Sequence, residues 1–443
     1  MTPLRRRLLV ATATPVALVL TLIAAAPVLD RHAGESMAPA RPADAVAVAR
    51  GEYLARVGDC AACHSIPGQP AFAGGLRMTL PVGAIYTPNI TPDPKHGIGA
   101  FSLADFDRAL RFGVSRGHSL YPAMPFPSYA GTRRDDVEAL YAYFQHGVRP
   151  AAVPNRAPDI AFPLSMRWPL TYWRLAFAPE PAPLAPASGD PVVARGAYLV
   201  ETLGHCGECH TPRNAALQVR AQTAADGEAY LSGARVEDWY APSLRSGGAG
   251  GLADWSEGDI AAFLTTGANH GAIAFGSMGE VVAESTQHLA PDDALAIARF
   301  LKGLAGPGGG AFAYDDATAQ RLRNGDASAR GAQLYLDNCA ACHRPDGRGY
   351  AGVFPALAGN PVVETDDALS LVSIVLAGST TTRTAATPAQ FHMPSFAWRL
   401  SDGEIADVLS FARASWGNRA AAVDEDAVRR QRARSVAAPE PGT

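Results

Sequence analysis

Residues 58–67 read GDCAACHSIP, residues 204–213 read GHCGECHTPR, and residues 337–346 read DNCAACHRPD. These stretches hold all six cysteines of the 443-residue chain. Each is Cys-x-x-Cys followed at once by histidine: Cys60-Cys63-His64, Cys206-Cys209-His210 and Cys339-Cys342-His343. A disulfide framework gives no reason for the fixed spacing or for the adjacent histidine. A zinc ribbon pairs two Cys-x-x-Cys units close in sequence and needs no histidine next to them. A thioredoxin-like redox site appears once, in a βαβ setting that this sequence lacks. Covalent haem accounts for every element. Two thiols on one helical turn add to the two vinyl groups of one porphyrin, and the next residue places its imidazole under the iron. The sequence therefore predicts three haems c, attached at Cys60 and Cys63, Cys206 and Cys209, and Cys339 and Cys342. His64, His210 and His343 are their proximal ligands.

Working outward, each motif follows a similar lead-in, ARGEYLARVGDC from Ala49, ARGAYLVETLGHC from Ala194 and ARGAQLYLDNC from Ala329. The apolar spacing predicts a short amphipathic helix running into the haem turn, and Gly51, Gly196 and Gly331 suggest close backbone approach to another helix. Each unit closes on a second amphipathic helix, over 133–147, 290–304 and 400–417, with Asp or Ser near its start as a cap. No alternation strong enough for a sheet is visible. The expected fold is all-α: three tandem cytochrome c domains joined by Pro- or Gly-rich linkers. The domains span 45–178 (with an aromatic-rich extension around Trp168 and Trp173), 192–305 and 326–417. Linkers cover 30–44, 179–191 and 306–325, and a charged tail, frayed or docked on a partner, covers 418–443.

The N-terminal residues 1–29 place three arginines before an apolar stretch over 8–29, the layout of an export signal. The best small-x-small site, Ala24-x-Ala26, is followed by Pro27, so a cleaved signal and a retained membrane anchor both remain open. Net charge is −4 with no long basic run beyond the start, which argues against a nucleic-acid partner. Export places the chain on the periplasmic side of the inner membrane, attached through its N-terminus or through other subunits.

A second strong ligand separates an electron-transfer haem from one that binds substrate. Met124, Met278 and Met393 lie 60, 68 and 50 residues after His64, His210 and His343, each ahead of its closing helix and in a loop-like context. They are the expected distal ligands. Met78 is the rival in the first unit, Met166 reads as packing, and His392 is the tempting alternative beside Met393. The bland reading of any single methionine is core filler.

The segments YTPNITPD, SLYPAMPFPSY, WYAPSL, CAACHRPDGRG, FPALAGNP and MPSFAWRLSDGEIADVL, spread over all three units, resemble the three-haem cytochrome c subunits of bacterial membrane-bound dehydrogenases. The resemblance implies a large partner subunit, flavin- or PQQ-dependent, that oxidises an alcohol, aldehyde, gluconate or sugar, with or without a small subunit. It implies that electrons pass through the haems to membrane ubiquinone. By the same likeness, Pro88, Pro242 and Pro355 supply the carbonyls that orient the proximal histidines. Related subunits also serve molybdenum hydroxylases. A haem enzyme with an open iron position is the reading from a different class. No dinucleotide fingerprint or PQQ-enzyme repeat is present, so catalysis on an organic substrate resides elsewhere.

Overall fold

The computed structural model describes residues 3–34, 42–184, 188–247, 251–306 and 311–437, with side chains from residue 14 onward except residue 15. The described chain is mostly helical and divides into two compact units, at residues 185 and 186. That boundary falls within the Pro-rich stretch 179–191, of which 185–187 lie outside the described residues.

In the first unit, α1 (Pro3–Arg31) precedes α2 (Ala45–Val57), which is capped by the Asp44 carboxylate and runs into the motif turn α3 (Cys60–His64). After α4 (Leu103–Arg111) and the short α5 (Phe126–Tyr129) comes the closing helix α6 (Arg134–Ala142), continued by a π-turn to Gly147. The aromatic extension forms α7 (Trp168–Phe177). Strands Arg77–Leu80, Gly83–Tyr86 and Asp159–Ile160 make a small antiparallel sheet. The all-α expectation thus needs correcting to mostly helical with minor strands. The strands run only two to four residues, too short for their alternation to register in the sequence.

The second unit holds both remaining motifs. Helix α8 (Pro191–Tyr198), with a π-turn to Leu203, leads to the motif turn α9 (Gly207–His210). Then come α10 (Glu257–Thr266), α11 (Ser277–Glu284) and the closing helix α12 (Pro291–Gly303). Helix α13 (Ala317–Arg323) falls inside the stretch expected as the linker 306–325. Its Ala319 and Leu322 are buried against Tyr335, Phe411 and Trp416. Next are α14 (Ala332–Asn338), the motif turn α15 (Ala340–His343), α16 (Pro361–Glu364), α17 (Leu369–Ala377) and the closing helix α18 (Asp402–Arg413). The charged tail forms α19 (Glu425–Ala437). Instead of fraying or waiting for a partner, α19 docks within its own unit. Val428 is fully buried against α17 and α18, and Arg432 holds Asp402 at 2.7 Å while donating to the carbonyls of Ala397 and Leu400.

Lead-in and closing helices cross at the glycines. A Cβ on Gly51, Gly196 or Gly331 would fall on the backbone oxygen of Ala139, Ala296 or Asp407, respectively. Only glycine lets the two helix backbones come this close. The preceding arginine reaches across each crossing to an aspartate on the closing helix: Arg50 to Asp136 (2.5 Å), Arg195 to Asp293 (2.7 Å) and Arg330 to Asp407 (2.6 Å). This threefold Arg-Gly/Asp clasp was not read from the sequence. Its arginines look like ordinary surface charges until the crossing is known.

Arg413 closes the last core from within. Its guanidinium is almost fully buried and donates to the carbonyls of Ala421 (2.6 Å), Val363 (2.9 Å) and Thr365 (2.8 Å). Burial pulls its pKa down, opposed by the acids Glu364, Asp366 and Asp367. Arg413→Met keeps the apolar stem but leaves three carbonyls without donors, at about 1–3 kcal/mol each. A clear fall in the thermal midpoint of the purified protein is expected. An unchanged midpoint would show that water satisfies these carbonyls.

Candidate functional site

Each Cys-x-x-Cys-His folds as one helical turn, so the two sulfurs, three residues apart, share a face and the histidine follows directly. All six cysteines are half-buried and outside any disulfide. Burial pushes the thiols of Cys60, Cys206 and Cys339 up to about 12.

The histidines share one arrangement. Nδ1 of His64 lies 2.8 Å from the Pro88 carbonyl oxygen, that of His210 2.7 Å from Pro242, and that of His343 2.9 Å from Pro355. A carbonyl only accepts, so Nδ1 carries the proton and donates it. Nε2 then presents its lone pair. Burial lowers the pKa of all three rings, against the opposing pull of the proline carbonyls, so the imidazoles are neutral near pH 7. The prolines occupy the role that the resemblance implied. A neutral imidazole held by a carbonyl on its far nitrogen is the form that ligates a metal.

The backbone of each histidine is held in the same recurring way. The carbonyl of His64 accepts from the N–H of Gly74 (2.8 Å), that of His210 from Gly233 (2.8 Å), and that of His343 from Gly349 (3.1 Å). All three glycines have positive φ. A Cβ on Gly74 would sit 2.5 Å from the Pro88 oxygen, and one on Gly349 2.5 Å from that of Pro355. At the first and third motifs glycine, histidine and proline thus form one closed unit, in which the glycine sets how near the proline carbonyl can come; a Cβ on Gly233 would instead meet the Tyr240 hydroxyl at 2.6 Å. Sequence reading missed these glycines because they follow their histidines by 10, 23 and 6 residues.

The methionines are placed less uniformly than expected. Met124 is in a turn before α5, its N–H bonded to the Tyr121 carbonyl. Met278 lies in the first turn of α11, and Met393 in a two-residue strand paired with Ser379. The loop-like context therefore holds for Met124 alone. Gly276 starts α11 directly from the preceding loop, and Gly378 turns the chain so that Ser379 pairs with Met393. All three methionines are half-buried. Met393 also borders the core built by α17 and α18. Of the rivals, Met78 sits in the small sheet and Met166 is exposed beside α7. His392 makes a side-chain contact with Thr380 at 3.0 Å.

A cytochrome c family model matches residues 328–416. The cytochrome c subunit of the quinone alcohol dehydrogenase of Gluconacetobacter polyoxogenes is 49% identical over 394 residues, 88% of this chain and 84% of that protein. The corresponding subunit of Gluconobacter oxydans (strain 621H) is 51% identical over 389 residues, covering 86% and 81%. The gluconate 2-dehydrogenase cytochrome c subunit of Pantoea cypripedii is 48% identical over 413 residues, covering 92% and 91%. With two thiols and a neutral, carbonyl-held imidazole on each motif turn, the donor set fits covalent haem, and the chain belongs to the family of cytochrome c subunits of bacterial dehydrogenases.

Proposed function

We propose that this chain is the electron-transfer subunit of a dehydrogenase complex and carries three covalent haems c, one in each of three cytochrome c domains spanning 45–178, 192–305 and 326–417. The cysteine pairs attach the groups, and His64 with Met124, His210 with Met278, and His343 with Met393 ligate the irons. Bound there, haem supplies a reversible one-electron couple. The protein's own residues fix how it is held: a proline carbonyl orients each imidazole, and the crossed helices hold the motif turn.

The observation that carries this reading is the threefold Nδ1-to-proline contact. It presents the same lone pair at all three motifs, including the two outside the segment that the family model matches. Likeness to the alcohol and gluconate dehydrogenase cytochrome c subunits supports a dehydrogenase subunit as electron donor; on our reading that donor is a large subunit of flavin or PQQ type, with a small subunit as a further partner. On the same reading the acceptor is ubiquinone and the subunit works at the periplasmic face of the membrane. Intact mass together with a pyridine haemochrome assay should give three haems per chain. The double variant Cys206→Ala, Cys209→Ala should give two. A wild-type count of one or two would sink the three-haem reading.

A further inference from the structure

In the first unit, the hairpin that leads to Pro88 is covered from within: its strand Gly83–Tyr86 pairs with Asp159–Ile160. The matching hairpin of the middle domain, Ala234–Val236 with Trp239–Ala241, runs into Pro242, whose carbonyl holds the His210 ring. Its outer edge is met by α17 of the last domain. The Ser370 hydroxyl accepts from the Tyr240 N–H (2.8 Å) and donates to the Tyr240 carbonyl (3.0 Å), and Ser373 donates to the Asp238 carbonyl (2.6 Å). A strand edge presents open N–H and C=O groups, and here two hydroxyls close it. Ser370 and Ser373 stand three apart in an otherwise apolar helix, so they share a face, and both are buried. Asp367, just before α17, adds an ion pair to Arg235 on the same hairpin.

Trp239, between the two held residues, carries the contact to the other side of the middle site. Its ring packs on that of Phe275, with centroids 5.5 Å apart, and a Cβ on Gly276 would fall 2.6 Å from it. Phe275 and Gly276 lead directly into α11 and Met278. The last domain also reaches α11 itself. Beyond α17 and Gly378 the chain runs to Thr382, whose hydroxyl donates to the Gly279 carbonyl at 3.1 Å. Gly279 follows Met278, and a Cβ there would stand 2.5 Å from that hydroxyl. Ala385 and Thr387 continue the seam, donating to the Gln287 side chain (3.1 Å) and the Thr266 carbonyl (3.0 Å). One segment of the last domain, 370–387, therefore bears on both the proximal and the distal side of the middle motif.

We propose that Ser370, Ser373 and Thr382 are positioning residues for the middle haem. The serines set how Pro242 holds His210, and the threonine sets where α11 presents Met278. This deepens the haem reading above and rests on its assignment of His210 and Met278. The potential of the middle haem is then set in part by the last domain, and the two arms act with opposite sign. A carbonyl on the far nitrogen makes the imidazole a stronger donor and favours ferric iron, so loosening Pro242 raises the potential. A thioether favours ferrous iron, so loosening Met278 lowers it.

The test is a spectroelectrochemical titration of the full, haem-loaded chain. The wave missing from the Cys206→Ala, Cys209→Ala variant identifies the middle haem. Ser370→Ala with Ser373→Ala should move that wave up, and Thr382→Val should move it down. Haem count and the other two waves should stay in place. Thr382→Ser keeps the hydroxyl and should leave the wave at its wild-type position. Thr382 is half-buried and valine matches it in shape, so this arm stands even where the serine pair is not tolerated. A middle wave unmoved in both variants overturns the proposal, as does an equal shift of all three waves. Met278→Ala, run alongside, separates positioning from ligation. An open middle iron in that variant, with unmoved waves in the others, refutes the positioning role alone. A Met278→Ala spectrum like that of the wild type refutes the ligand assignment, and the Thr382 arm with it.

Discussion

Replacing Met124 by alanine is expected to leave the first haem attached and its iron open. On the proposed assignment, attachment rests on Cys60 and Cys63 and Met124 is the distal ligand, while the His64 ring is still held by Pro88, so the haem count per chain should not change. Loss of the thioether removes the strong distal ligand and the preference for ferrous iron that comes with it. About a third of the total haem should then turn high-spin and bind carbon monoxide, and one of three reduction potentials should fall. Met78→Ala, in the small sheet, is the matched control and should leave the spectrum as it was. If the two outcomes were exchanged, the distal ligand of the first haem would have to be reassigned. Met278→Ala and Met393→Ala extend the test to positions on a helix and a strand. For Met393, which also borders a core, stability should be read alongside the spectrum.

The second large effect concerns the helix crossings. Gly196→Val places a branched side chain where the Ala296 oxygen and the Phe300 side chain already stand, so α8 and α12 must separate. Forcing packed helix backbones apart costs about 3 kcal/mol or more. Loss of the middle haem and a marked fall in the thermal midpoint are expected, read by haem content and circular dichroism. Gly303, at the end of α12, has open space around its Cβ direction. Gly303→Ala should be neutral, or stabilising by up to about 1 kcal/mol through helix propensity. Equal behaviour of the two variants would mean that the crossing does not depend on glycine.

What the sequence revealed, and what it hid, follows from the range of each interaction. The Cys-x-x-Cys-His turns were legible because their whole pattern lies within one helical turn. Gly51, Gly196 and Gly331 could be read as close-approach positions because each stands in the same Ala-Arg-Gly triplet, eight to ten residues before the first cysteine of its motif. The Arg50–Asp136, Arg195–Asp293 and Arg330–Asp407 pairs span 77 to 98 residues and show only once the helices cross. Gly74, Gly233 and Gly349 escaped because the loops that return them to their histidines differ in length. The docking of α19 was hidden in a segment dominated by charge, where Val428 and Gln431 are the buried residues among the described side chains of the helix. Strands two to four residues long left no readable alternation.

The central claim is that each of three motifs holds an iron between histidine and methionine. Electron paramagnetic resonance and magnetic circular dichroism of the purified, fully oxidised chain test it most directly, quantified against haem content. The account predicts three low-spin haems per chain, all with histidine–methionine signatures, and no carbon monoxide adduct on reduction. A high-spin haem that binds carbon monoxide in the wild-type protein would contradict it.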